Sequence, residues 1–111
     1  ILEEAYTNFK RVCEMYPDTP YVLGAQENML KCRKLMAEHE LYIADVFWHM
    51  GKYGVAWRRY DYIIKNFNDV PEVYNHAREK ALSAYHNYRE DEAKEIREQR
   101  EGSWKNWFKW L

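Results

Sequence analysis

The chain has 111 residues, a net charge of -1 and 47% hydrophobic residues, with only four glycines and three prolines. This balance excludes a disordered low-complexity segment and lacks the basic excess needed to grip a phosphate backbone, so no nucleic acid is expected. No apolar run reaches the roughly 18 residues of a membrane-spanning helix. One helical domain with a modest core is expected. Because the sequence begins at Ile1, it reads as a piece of a longer protein.

In chain order, residues 2 to 16 form a first helix, with Leu2, Ala5, Phe9, Val12 and Tyr16 on one face. Pro17 and Pro20 stop it, since proline cannot continue the hydrogen-bond ladder. From about 21 to 50 the apolar positions Val22, Ala25, Met29, Cys32, Met36, His39, Ile43, Phe47 and Met50 step by three or four. They predict one unusually long helix, with His39 on its buried stripe. Gly51 and Gly54 bracket a turn, and a third helix runs from about Tyr53 to Phe67. Asn66 to Pro71 carries turn chemistry. A fourth helix is predicted over about Glu72 to Tyr88, a turn at Arg89 to Asp91, and a fifth helix from Glu92. Gly102 and Ser103 interrupt that fifth helix before the segment Trp104 to Leu111, where Trp104, Trp107, Phe108 and Leu111 share a face at helical spacing.

Ala44, Phe47, Gly51, Tyr53, Ala56 and Tyr60 fit the tetratricopeptide helix–turn–helix pattern, in which bulky residues need small partners opposite. Ala5 to Ala56 spans one period of about 34 residues plus roughly five extra helical turns, which accounts for the long helix. Ala56 to Ala93 is one period plus a longer loop. The fold class is therefore all-α, a tetratricopeptide-like superhelix. The repeat domain covers 1–101, with a half repeat at 1–17, an extended helix plus repeat at 20–68 and a repeat at 71–101. Residues 102–111 form a Trp-rich C-terminal segment.

Candidate chemistry is sparse. Cys13 and Cys32 fall on or beside apolar stripes and read as small buried hydrophobes, with a disulfide the minor alternative. The four histidines form no pair or Cys/His cluster with metal spacing, and no phosphate loop or nucleophile elbow is present. No catalytic residue, cofactor or metal is expected, and the chain reads as a non-enzyme. Projecting the repeat register places Tyr42, Asp45, Trp48 and His49 on a concave face, followed by Arg78 and His86 from the next repeat. Mixed aromatic and charged residues of this kind suit recognition of a peptide or loop, or merely cover a surface. Arg58 and Arg59, beside Asp61, are either solvated ion-pair partners or interface anchors. Trp104, Trp107 and Phe108 either cap the repeat stack or dock on a partner.

The run containing Glu40, Ala44, Phe47, Gly51, Tyr53, Ala56, Arg59, Tyr62, Asn66 and Phe67, preceded by the long helix, resembles the BamD family of outer-membrane assembly lipoproteins. Ala5, Phe9, Tyr16, Pro17 and Ala25-Gln26 fit the same family. The likeness covers residues 1 to about 93. It implies a non-catalytic scaffold on the periplasmic face of a Gram-negative outer membrane, held there by a lipid anchor outside these residues. It also implies the other subunits of the assembly machinery as partners, docked through C-terminal repeats, with unfolded outer-membrane protein segments as a further partner class. Arg59 matches a family arginine on that docking surface. Asn68 replaces the usual proline, Arg89 stands where glycine is common, and the Trp-rich tail has no family counterpart. The alternative is a generic tetratricopeptide adaptor that binds a peptide in its concave groove.

Overall fold

The computed structural model describes the backbone of residues 1–108 and the side chains of residues 1–102. Four helices follow in order: α1 (Leu2–Met15), α2 (Tyr21–His49), α3 (Tyr53–Asn66) and α4 (Pro71–Phe108). Among the described residues there is no strand. The radius of gyration is 22.2 Å and the longest dimension 85 Å. A compact domain of this size would have a radius near 13 Å. The elongation is that of helices laid side by side, with α4 projecting beyond the stack.

The single 29-residue α2 agrees with the spacing of its apolar residues. Its buried positions are Ala25, Cys32, Ala37 and Ala44. The stripe drifts around the helix because the N-terminal half packs on α1 and the C-terminal half on α3 and α4. His39 consequently lies on the exposed side, not on the buried stripe predicted for it.

The turn after α2 is a Schellman motif. The Gly51 N–H donates to the Trp48 carbonyl at 3.1 Å and the Lys52 N–H to the Phe47 carbonyl at 3.0 Å. Gly51 has φ +78°, which a residue with a Cβ adopts only with strain. This turn reverses the chain and lays α3 back along α2.

The core lies between the C-terminal half of α2, α3 and the first half of α4. Tyr60 and Ile63 are its largest fully buried side chains. Around them sit Ala37, Ala44, Ala56, Ala77 and Ala84, each fully buried, so small residues on α2, α3 and α4 receive the large ones of α3. Gly54 serves the same end where α3 crosses α4: a Cβ there would lie 2.9 Å from a ring carbon of Tyr88. By contrast, α1 has no buried residue and packs against α2 without packing on α3 or α4. Both cysteines are free thiols, and the Cys13 Sγ lies 3.9 Å from the Met29 Sδ.

The turn predicted at Arg89 to Asp91 is absent. α4 runs unbroken for 38 residues from Pro71, passing through Gly102 and Ser103 as well. The segment Tyr88-Arg89-Glu90-Asp91-Glu92 contains neither glycine nor proline. Ion pairs His86–Glu90 at 3.0 Å and Arg89–Glu92 at 3.7 Å span it along the helix. Among the described residues four helices thus replace the expected five segments.

Candidate docking surface

Two polar constellations at the edge of the core organise the surface. The first is built by Arg33, on α2. Its guanidinium grips Asp69 in two places, Nε to one carboxylate oxygen at 3.1 Å and Nη2 to the other at 2.8 Å. The same Nη2 donates to the Asn66 carbonyl at 2.6 Å, and the guanidinium carbon stands 4.6 Å from the centre of the Phe67 ring. The fork matches a carboxylate in a way lysine cannot. The bond from Arg33 holds the Asp69 carboxyl below its ordinary range and, reciprocally, raises the Arg33 guanidinium. Arg33 thereby ties α2 to the loop between α3 and α4.

The second constellation lies where α2, α3 and α4 meet. The Tyr60 hydroxyl donates to the Asp45 carboxylate. Burial, reinforced by that bond, pushes the Tyr60 phenol far above its ordinary value, so it stays neutral and remains a donor. The other Asp45 oxygen faces His76 Nε2 at 3.5 Å, with no hydrogen bond between them. The Lys80 ammonium sits 4.0 Å over the Trp48 ring, while His49 and Tyr53 meet that ring edge-on. The buried Trp48 Nε1 and His76 Nε2 have no hydrogen-bond partner.

The structure brings some of the predicted residues together and separates others. Asp45 and Trp48 share this junction, with Tyr42 and His49 exposed on the same helix. Arg78 lies elsewhere, in a groove formed by Trp57 and Ile64 of α3 with Ala81, Leu82 and Tyr85 of α4. His86 is exposed and pairs with Glu90 of its own helix. On α3, Arg58 is exposed, whereas Arg59 is half-buried with its guanidinium 5.1 Å from the centre of the Phe47 ring. The side chains of Trp104, Trp107 and Phe108 lie outside the described residues. Sequence reasoning missed Arg33, His76 and Lys80, whose partners are 36, 31 and 32 positions away along the chain. The one available signal was an acidic residue in the Asn66–Pro71 loop.

Among the described residues no cluster of His, Cys, Asp or Glu is placed to hold a metal ion, and no helix is long and apolar enough to cross a membrane. What the surface offers is aromatic rings and guanidinium groups held on packed helices. Small residues receiving large ones between successive hairpins, together with this surface, define a tetratricopeptide-like helical repeat protein.

The chain belongs to the YfiO family of outer membrane lipoproteins, whose family model matches residues 1–100. That membership sets it at the periplasmic face of the outer membrane. Among curated proteins it is similar to the outer membrane protein assembly factor BamD of Vibrio cholerae, 29% identical over 84 residues, covering 76% of this chain and 34% of that one. It is also similar to BamD of Xylella fastidiosa, 23% identical over 91 residues, covering 73% of this chain and 31% of that one. The chain thus spans about a third of the length of these relatives. No solved structure matches it.

Proposed function

We propose that this chain is a non-catalytic scaffold of the outer-membrane β-barrel assembly machinery, and that it docks other subunits of that machinery through its α2–α3–α4 unit. The observation that carries the reading is the family match over residues 1–100, with curated relatives described as assembly factors. The surface supports it. Arg59, half-buried against Phe47, is pre-positioned, so little side-chain entropy is lost when a partner binds it. Arg58 on the same helix, with Tyr42 and His49 on α2, adds exposed polar and aromatic groups of the kind enriched at interfaces. Unfolded outer-membrane protein segments are a second partner class for the same surface. The reading as a generic peptide adaptor has less support, because Lys80 already covers the Trp48 ring in the α2–α4 groove.

The test is capture of assembly subunits from detergent-solubilised outer membranes by the immobilised chain. Arg59→Glu is expected to reduce capture at least tenfold with the helical circular dichroism signal unchanged. Equal capture by the variant removes Arg59 from the docking surface. Failure of the unaltered chain to retain any assembly subunit removes the docking role itself.

A further inference from the structure

α4 is built in two unlike halves. Up to Tyr88 it packs on α3 and closes the core. Beyond that point every described residue from Arg89 to Glu101 is exposed except the half-buried Glu92. A helix without tertiary contacts is marginal in water. Ile96 is 49% exposed. The proximal half has the opposite deficiency. Trp57, Ile64, Leu82 and Tyr85 form an open apolar groove between α3 and α4. Leu82 is 72% exposed and Tyr85 43%.

The two deficiencies fall on one stripe. At 3.6 residues per turn, Leu82, Tyr85, Arg89, Ala93 and Ile96, at successive spacings of three, four, four and three, share a single face of α4. The stripe is also self-complementary. Leu82 and Ile96 lie equally far on either side of Arg89, as do Tyr85 and Ala93. Charge follows the same division. Residues 90–101 carry six carboxylates against three cations, whereas the groove carries Arg78, which has no carboxylate partner among the described residues. Folding back within one chain would require breaking α4 at a segment that has no glycine or proline and is spanned by two ion pairs.

We propose that α4 pairs antiparallel with α4 of a second copy of this chain, about a two-fold axis near Arg89. Each Ile96 then seats on the Trp57–Leu82–Tyr85 groove of the other copy, and each Arg78 lies beside the turn carrying Glu98 and Glu101. Such an interface is isologous and closes on itself, as two-fold dimers require. It goes beyond the scaffold reading, since it needs no other subunit.

Sedimentation equilibrium of the full chain tests it. A mass of twice 13.6 kDa is expected. Leu82→Glu and Ile96→Lys are each expected to return the chain to a monomer at the same concentration with unchanged helicity, both sites being exposed. An equimolar mixture of the two variants is expected to recover the dimer, because an antiparallel pair keeps one Leu82–Ile96 seat intact and sets the new glutamate against the new lysine in the other. A monomeric unaltered chain overturns the proposal, as does a dimer indifferent to both substitutions. No recovery on mixing overturns the antiparallel seating.

Discussion

The α1–α2 hairpin and the α2–α3–α4 unit are made from the same ingredients, yet only the second has a fully buried large side chain. In the first, Phe9 and Val12 meet α2 from one side and remain half-exposed. In the second, Tyr60 and Ile63 have helices on both sides and no contact with water. One hairpin supplies one apolar face, and a repeat becomes a core only when a third helix covers it.

This contrast predicts a graded response to truncation. Ile63→Ala is expected to cost about 2–5 kcal/mol in urea unfolding, because it leaves a cavity where no neighbour can collapse. Phe9→Ala, at a half-exposed position, is expected to cost roughly half as much, and equal losses would erase the distinction between the two units. Gly54→Ala forces the new methyl against Tyr88 and is expected to cost about 1–3 kcal/mol. In a Tyr88→Ala background that cost should largely disappear, which a double-mutant cycle reads directly.

The smallest effect concerns the loop that Arg33 holds. The folded Asp69 carboxyl lies below its unfolded value of 3.8, so its contribution is fully present above that value. The contribution is lost as pH falls through the folded pKa. Both partners are partly solvated, so Asp69→Asn is expected to cost about 1 kcal/mol or less at neutral pH. The difference from the unaltered chain should vanish in acid. A difference that persists once Asp69 is protonated in the folded chain would show that the loop is held by something other than this ion pair.

Much of the architecture was legible in the chain. The apolar spacing gave α1, the length of α2 and the extent of α3, and Gly51 marked the reversal. Two things were not legible. The phase of the α2 stripe depends on which neighbours flank it, and two different neighbours rotate it enough to bring His39 into solvent. The continuity of α4 was hidden because the repeat register called for a turn at Arg89–Asp91, while the local residues are all competent helix formers. The site was legible only in fragments. Register singles out Asp45 and Trp48 as candidates, but Arg33, His76 and Lys80 act through partners far along the chain, which no local pattern encodes.

Because α1 rests on α2 without packing on α3 or α4, α2 is a beam shared by two bodies. Any torque on the N-terminal hairpin reaches the core through that one rod, at the level of Ala37 and Ala44, where there is no slack to absorb it. The angle between the hairpin and the core is therefore set by the stiffness of a single helix. A binder that bends α2 on the N-terminal side of Ala37 would swing the N-terminal end and leave the Tyr60–Asp45 bond, which lies beyond that point, in place.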